Sequence, residues 1–574
     1  MNDHVVLPRC IRLFLLIFLL PGCNSERETT SLPARPSTPM PSRTIRFEAR
    51  PLPFTYDRGE SGAAWPVEPT GGGVGLLDFD LDGDLDLFFA QGTPLPEGAR
   101  PARSSDTLLR NDGGRRFTDV SEQVGLAPRG YGQGVAVADH DGDGDPDVLV
   151  TRYGRNTLWR NDSGRFVDVT AQACLDQPGW SLGAAFLDYD SDGRLDLFIA
   201  DYFAFDPRQA PFDRDPETGK PDYGMPARFD GLPDRLYRNL GDGTFEDVTS
   251  KAGVAGKGRG MGVLASDLDD DGRIDLLVAN DVQHNAFWHN NGDGTFEDRA
   301  EEIGLAVNAA GQVEANMGIA RGDTDGDGLP DVVISHFFDE HDTLWRAGRA
   351  ADGRVLFQDQ TMEAGLGVDG RPFTGWGIAL ADFDLDGRPD LIVANGHIRK
   401  ERGRRPEYAN PPILWQNLGK GRFRNVSATA GDFFSELHQA RGLAVGDLDG
   451  DGGLDVVVVR HLAACVVLWN ETADRGRRLE VDLIGRPPLV DPIGAKVRVQ
   501  LDDGRTLVDS IDGGGGYLSA NARRLTFGLG NESRVESVEV RWPSGRRQVL
   551  RNPPLDRPVR IREAEERAAD VIRP

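Results

Sequence analysis

One ten-residue stretch, Asp78-Phe79-Asp80-Leu81-Asp82-Gly83-Asp84-Leu85-Asp86-Leu87, recurs in outline along the whole chain. Seven copies begin at Asp78, Asp139, Asp188, Asp267, Asp323, Asp382 and Asp447, spaced 49 to 79 residues apart. Every copy carries Asp at positions 1, 3, 5 and 9 and Gly at position 6, which makes 28 carboxylates without an exception. A self-similar unit at such spacing signals a repeat architecture.

Alternate carboxylates on a tight loop converge on one point and repel each other unless a cation sits there. A hard ion that takes about 6–8 oxygens, Ca²⁺, suits them better than Mg²⁺, which keeps its waters. The expected side-chain ligands are Asp78, Asp80, Asp82 and Asp86; Asp139, Asp141, Asp143 and Asp147; Asp188, Asp190, Asp192 and Asp196. The later copies offer Asp267, Asp269, Asp271 and Asp275; Asp323, Asp325, Asp327 and Asp331; Asp382, Asp384, Asp386 and Asp390; Asp447, Asp449, Asp451 and Asp455. Position 7 varies freely (Asp84, Asp145, Arg194, Arg273, Leu329, Arg388, Gly453), as expected if only its carbonyl coordinates. About seven Ca²⁺ sites are therefore predicted.

The opening DxDxDG resembles an EF-hand, but an EF-hand needs a bidentate Glu at position 12. Position 12 here is Phe89, Val150, Ile199, Val278, Ile334, Val393 or Val458. Short, apolar, β-branched runs flank each loop, so each unit reads as strand, loop, strand. A third strand follows, ending in patterns such as Leu158-Trp159-Arg160-Asn161 or Leu236-Tyr237-Arg238-Asn239. A Gly-rich turn and a fourth strand, such as Thr244-Phe245-Glu246-Asp247-Val248-Thr249, complete the unit. The third-strand aromatics are expected to fill the space between adjacent sheets.

Four-stranded units repeated in this way describe a β-propeller. Seven loops predict seven blades over residues 44–470. The last unit lacks a fourth strand after Leu468-Trp469-Asn470, and Thr44-Ile45-Arg46-Phe47-Glu48-Ala49 is expected to supply it and close the ring. Residues 471–565 show short alternating strands, Leu479 to Ile484, Lys496 to Leu501 and Val535 to Trp542, and read as a small β-sandwich-like domain before a tail at 566–574. The run Gly513–Gly516 reads as a tight bend, with anion cradling as the alternative.

The seven loops, each preceded by a Gly-rich apolar strand, resemble the FG-GAP/VCBS repeats of integrin-like propellers. Ile493-Gly494-Ala495-Lys496-Val497, Gly513 to Ser519, Phe527-Gly528-Leu529-Gly530 and Val540-Arg541-Trp542-Pro543-Ser544-Gly545 look like an ASPIC/UnbV domain. Together they are similar to bacterial members of the cartilage acidic protein family. The resemblance implies an all-β, seven-bladed integrin-like propeller with a small C-terminal β domain, Ca²⁺ binding and an extracytoplasmic setting. It implies no known reaction.

Residues 1–22 carry Arg9 and Arg12, then an apolar run from Leu13 to Leu20, and read as an export signal. Leu20-Pro21-Gly22-Cys23 resembles a lipobox, so Cys23 is expected to carry the lipid, with residues 23–43 as a flexible Ser/Thr/Pro-rich tether. The chain is thus expected to be exported and anchored to a bacterial membrane, periplasmic or surface-facing. Cys174 and Cys465, in separate repeats, are expected to be buried free thiols. The net charge of −27 excludes nucleic acid and anionic membrane surfaces as partners.

Insertions between second and third strands, Phe203 to Leu232 and His397 to Pro412, fall on the face opposite the Asp loops. The second includes the basic run Arg399 to Arg405. Arg152, Asp201, Asn280, Asp281, His336, Asn395, His397 and His461 end second strands and are expected either to ring a ligand-binding mouth there or to be solvated strand ends. No nucleophile elbow, HExxH or phosphate loop is present. A monomeric binding or scaffold protein for an extracellular protein or glycan is therefore preferred over a polysaccharide lyase or hydrolase. The latter would need an acid–base pair near His336, His397 and Arg152.

Overall fold

The structure is a computed structural model. It describes residues 43–95, 106–206, 213–214, 219, 221–398, 409–531, 534–555, 557–564 and 571–572. The expected signal, Cys23, most of the tether and the basic run at 399–405 lie outside the described residues.

The first repeat forms an antiparallel sheet in the order Val74–Leu77, Asp86–Phe89, Thr107–Asn111, Phe117–Asp119. The same four-strand order recurs in units whose first strands begin at Tyr131, Pro178, Gly260, Ile319 and Gly375. The seventh unit takes three strands, Ala440–Gly446, Asp455–Arg460 and Val466–Asn470, from its own repeat. Its fourth is Phe47–Pro51, with Phe47 opposite Asn470 and Pro51 opposite Val466. The closing strand thus starts three residues later than the sequence suggests. Each first strand lies beside the first strand of the next unit, and that of the seventh lies beside that of the first. The fold is a β-propeller.

Adjacent sheets meet through apolar side chains. Trp159, Trp345, Trp415 and Trp469 are each at most 1% exposed and sit between neighbouring units. At the axis the first strands come so close that some positions accept no side chain: a Cβ on Gly318 would lie 2.3 Å from the Trp376 carbonyl oxygen of the next unit. This close approach accounts for the glycines that precede every loop.

The C-terminal domain has two sheets. One is ordered Leu525–Gly530, Arg477–Ile484, Val559–Arg562. The other runs Thr506–Ser510, Lys496–Leu501, Val535–Arg541, Arg547–Arg551, Val571–Ile572. Val481, Val497, Phe527, Val538, Trp542 and Ile561 pack between them.

From this domain the segment 512–522 enters the propeller axis. Gly513 and Gly514 pair with Ala265 and Leu264, while Gly516 and Ile319 exchange backbone hydrogen bonds of 2.6 and 2.9 Å. Further along, the amides of Val135 and Leu76 donate to the carbonyls of Leu518 and Ala520, and Ala522 donates to Val445. Tyr517, fully buried, donates to the Thr70 carbonyl at 2.9 Å and meets Trp376 edge-on at 5.1 Å. The glycine run is thus a bend that lets backbone touch backbone: a Cβ on Gly513 would sit 2.0 Å from the Phe186 oxygen, and Gly514 to Gly516 have φ of 71°, 89° and 64°. Of the two cysteines, Cys465 is buried as expected but Cys174 is exposed, on a left-handed turn residue (φ 63°).

Candidate functional site: the aspartate loops and the chamber above them

Every loop has the same internal wiring. The position-1 carboxylate accepts the position-6 glycine amide, from 2.7 Å (Gly387 to Asp382) to 3.1 Å (Gly272 to Asp267). The position-5 carboxylate accepts the position-7 amide, as Asp84 to Asp82 at 3.0 Å and Gly453 to Asp451 at 2.7 Å. Asp139, Asp188, Asp323, Asp382 and Asp447 accept loop amides on both oxygens, whereas Asp78 accepts on one.

Position 9 plays a different part. Asp86, Asp147, Asp196, Asp275, Asp331, Asp390 and Asp455 are all buried. One oxygen of each accepts an amide from the third strand, from Asn111, Asn161, Asn239, Asn290, Ala347, Asn417 and Asn470, at 2.8–2.9 Å. In six loops the other accepts the position-2 amide, as Phe79 to Asp86 at 3.2 Å. This aspartate therefore ties the loop to its own sheet.

The third-strand asparagine extends the tie to the next blade. The side-chain amide of Asn161 donates to the Phe79 carbonyl in the preceding loop at 2.8 Å. Asn111, Asn239, Asn290, Asn417 and Asn470 make the same bond at 2.8–2.9 Å, with unit five, where Ala347 stands instead, the exception. The aromatic-Arg-Asn repeat was the sequence signal for this role, and the sequence reading gave it none.

Arginines divide the loops into two kinds. In units three, four and six the position-7 guanidinium bonds the position-5 carboxylate (Arg194 to Asp192, Arg273 to Asp271, Arg388 to Asp386). Its Nε donates to the carbonyl of Asn239, Asn290 or Asn417 at 3.0, 2.6 and 3.1 Å. In unit seven Arg475 makes both contacts from outside the loop, to Asp451 at 2.7 Å and to the Asn470 carbonyl at 3.0 Å. Units one, two and five carry Asp84, Asp145 and Leu329 at position 7.

Several carboxylate groups lie close enough to share one ion. Ligand atoms of Asp78, Asp80 and Asp82 lie within 4.8 Å of one another, as do those of Asp139, Asp141 and Asp143, and of Asp188, Asp190 and Asp196. In unit four His289 joins Asp269 and Asp275 in such a group. Asp78 Oδ1, Asp190 Oδ1 and Asp384 Oδ1 are buried with no hydrogen-bond partner. Burial pushes Asp139 up to about 7 and Asp86, Asp196 and Asp455 up to about 8, with neighbouring loop carboxylates adding to the rise. Unpartnered oxygens, crowded like charges and raised pKa values are what a hard cation would relieve, so the donor set fits Ca²⁺.

The C-terminal domain sits on these loops. Gly530 donates to the Leu385 carbonyl at 2.9 Å, Gly476 to the Asp384 carbonyl at 3.0 Å, and Lys496 Nζ to Asp270 at 2.8 Å. A Cβ on Gly528 would meet Asp382 Oδ2 at 1.9 Å. Arg321, on the first strand of unit five, is paired with Asp512 and, at 2.6 Å, with Asp509. Around the 512–522 segment the two domains enclose a chamber of about 1460 Å³.

The opposite face differs from expectation. Arg152, Asp201, Asn280, Asp281, His336, Asn395, His397 and His461 are 1–5% exposed, so they neither ring an open mouth nor stand as solvated strand ends. Each is held by its own partners. Arg152 pairs with Asp106, Asp201 with Arg235 at 2.7 Å, and Asp281 accepts from the Tyr202 hydroxyl. Asn280 and Asn395 donate to the carbonyls of His284 and Pro411, each at 2.9 Å. His336 bonds Asn316 at 2.8 Å, His397 bonds Thr374 at 2.7 Å, and His461 bonds the Gly71 carbonyl at 2.7 Å. Loops cover these strand ends: Trp65 and Val67 are buried there beside Tyr202 and Phe203. Arg152, His336 and His397 sit in three separate hydrogen-bonded sets, not in one acid–base pair.

The profile of the FG-GAP-like repeat family matches residues 78–150, 139–199, 219–278, 267–334, 323–393 and 405–458, more than half of the chain and all seven loops. The chain belongs to the FG-GAP-like repeat family. The ASPIC and UnbV profile matches residues 486–568 of this FG-GAP-like protein. Cartilage acidic protein 1 of Mus musculus is 26% identical over 340 residues, 57% of this chain and 48% of that protein. The Homo sapiens protein is 26% identical over 344 residues, 57% and 47% of the two chains. The chain thus spans about half the length of these relatives. Among solved structures, an Agrocybe aegerita lectin described as recognising non-reducing terminal N-acetylglucosamine is 18% identical, with 68% and 85% coverage and a TM-score of 0.36. The BP39L lectin of Burkholderia pseudomallei is 9% identical, with 71% and 97% coverage and a TM-score of 0.41.

Proposed function

We propose that this FG-GAP-like protein is a calcium-stiffened, extracytoplasmic binding scaffold, held to a membrane through a lipid on Cys23. The observation that carries the calcium reading is the convergence of carboxylates within each loop, some with buried oxygens that no protein group satisfies. Loop amides hold the carboxylates in place, and Asp78 Oδ1, Asp190 Oδ1 and Asp384 Oδ1 are buried with no protein partner. The loops also form the seat of the C-terminal domain, so cations there would hold two domains in place rather than drive a reaction. The residues expected to make a mouth on the other face are buried. The chamber on the loop side is therefore the surface we assign to the ligand.

Thermal unfolding with and without chelator tests the calcium reading, because an ion that binds only the folded chain adds its binding free energy to stability. Removal of Ca²⁺ with EDTA should lower Tm by ten degrees or more, on the order of 2–4 °C per kcal/mol for domains of moderate size. Restoring Ca²⁺ should restore it. An unchanged Tm would refute the calcium sites. Metabolic labelling with a radiolabelled fatty acid tests the anchor, and loss of label in Cys23→Ser is the expected result.

A further inference from the structure

We propose that the chamber between the aspartate loops and the C-terminal domain binds an acidic oligosaccharide, through Arg498, Arg562 and Lys420. The proposal rests on the binding-scaffold reading and adds the ligand's chemical class.

The chamber carries two kinds of charged group. Carboxylates that belong to no loop line it, among them Asp482, Asp491 and Asp509. The C-terminal wall also carries arginines, most of them already engaged. Arg505 bonds Asp503 at 2.6 Å, Arg524 bonds Asp482 at 2.8 Å, and Arg560 stands 3.9 Å from the same Asp482.

Arg498 and Arg562 are different. Each lies between or beside inward-pointing residues, Val497 and Val499 for the first and Ile561 for the second, so its side chain points away from the domain core. Both line the chamber, both are exposed, and neither guanidinium has a partner among the described residues. Glu539, opposite Arg498 in register, lies 3.7 Å from Arg547 instead. On the propeller side, Lys420 tops the turn between the last two strands of unit six and also lines the chamber with its ammonium unpaired among the described residues. In a chain of net charge −27, three uncommitted cations on two walls of one chamber are a concentrated exception.

Free guanidiniums match carboxylate or sulfate groups bidentately. Cations on both walls call for more than one such group on a single ligand. The volume of about 1460 Å³ exceeds the roughly 300–1,000 Å³ of ordinary small-molecule pockets, which suits an extended ligand. The carboxylates outside the loops accept from donors placed between the acidic groups and would repel a ligand that offered only negative charge. Hydroxyl-rich sugar rings bearing carboxylates or sulfates satisfy both the cations and these acceptors. An acidic peptide satisfies only the cations.

Isothermal titration of the purified full chain, at physiological salt and with CaCl₂ present, tests this with four probes. They are an oligogalacturonate hexamer, a heparin-derived hexasaccharide, maltohexaose and hexaglutamate. One or both acidic sugars should bind, and which of them does distinguishes a carboxylate from a sulfate ligand. Maltohexaose and hexaglutamate should bind at least tenfold more weakly. Arg498→Gln and Arg562→Gln should each weaken acidic-sugar binding about tenfold, the worth of one charge-assisted contact, while Arg498→Lys loses less. Both arginines are exposed, so the variants should melt as the parent does and keep its Ca²⁺-dependent Tm. Binding of hexaglutamate equal to that of the sugars overturns the proposal, as does undiminished binding by the Arg498→Gln/Arg562→Gln double variant. Binding of no acidic sugar, in a sample whose Tm still responds to Ca²⁺, overturns the chamber proposal and leaves the scaffold reading standing.

Discussion

Arg475 reaches Asp451 at 2.7 Å from outside the loop, through the space that a side chain on Gly453 would need. A Cβ on Gly453 would fall 1.7 Å from Arg475 Nη1. In units three, four and six an arginine at that loop position makes the same pair of contacts, to the position-5 carboxylate and to the asparagine carbonyl. Unit seven has the same clamp, supplied by the segment that leads into the C-terminal domain. The missing side chain at Gly453 and the arginine 22 residues later are therefore one feature.

This substitution in space predicts non-additive mutations. Arg475→Ala removes a charge-assisted pair and should cost about 1–3 kcal/mol in urea unfolding. Gly453→Arg alone should also destabilise, because its side chain collides with Arg475. The double variant rebuilds the unit-three arrangement and should recover most of both losses. A double-mutant cycle measures the coupling, and simple additivity would show that the two residues do not share one site.

The clamp also predicts unequal cation affinity. A guanidinium on the position-5 carboxylate removes one unit of negative charge from the loop, and ligand charge count tunes Ca²⁺ affinity. Unclamped units one and two, with Asp84 and Asp145 added, should fill first in a calcium titration, and units three, four, six and seven later. Arg273→Leu, which gives unit four the residue that unit five carries, should tighten its site by about tenfold (roughly 1.4 kcal/mol). Site-resolved NMR or terbium luminescence would report the order of filling, and uniform affinity would count against the division.

Protonation should mimic the cation in its absence. Burial raises Asp188, Asp267, Asp323 and Asp447 to about 6, and Asp86, Asp196 and Asp455 to about 8, above an unfolded value near 3.9. A carboxyl whose folded pKa is raised contributes stability below its unfolded pKa and loses it as pH rises through the folded value. Chelated protein should therefore melt at progressively lower temperature as pH increases from about 5 to 8. With Ca²⁺ present the trend should flatten or reverse, because the ion competes with protons and is favoured at higher pH. Parallel pH series of Tm in EDTA and in CaCl₂ decide the matter; identical slopes would contradict it.

The repeat, its strand order, the borrowed closing strand and the wedge of tryptophans between blades were legible in the sequence, because each follows from a local pattern that recurs. What was not legible depends on where separate parts meet. Asp86 and its equivalents read as ligands like the other aspartates, yet their oxygens accept amides from residues up to 43 positions away. Asn161 carried a repeat signal, but its partner Phe79 lies in another blade. His336 and His397 look like solvent-facing strand ends until loops from elsewhere cover them. Gly513 to Gly516 announced a bend, but nothing nearby in the chain says that the bend enters the propeller axis.

That insertion predicts how the domains unfold. Tyr517 is fully buried midway along the inserted segment, with its ring against Trp376 and its hydroxyl on the Thr70 carbonyl. Truncation to alanine should cost about 3–5 kcal/mol, the usual loss for a buried aromatic. Tyr517→Phe removes only the hydrogen bond and should cost about 0.5–1.5 kcal/mol. The segment bonds first strands from units one, two, four, five and seven at once, so it spans the ring that chain closure at Phe47–Pro51 completes. With Tyr517 in place, propeller and C-terminal domain should melt in one calorimetric transition. In Tyr517→Ala the two should separate, with the C-terminal domain becoming open to limited proteolysis near residues 471–476 before the propeller melts. A single transition in that variant would mean that the loop-face contacts, Gly530 to Leu385 and Lys496 to Asp270, suffice to couple the domains without the inserted segment.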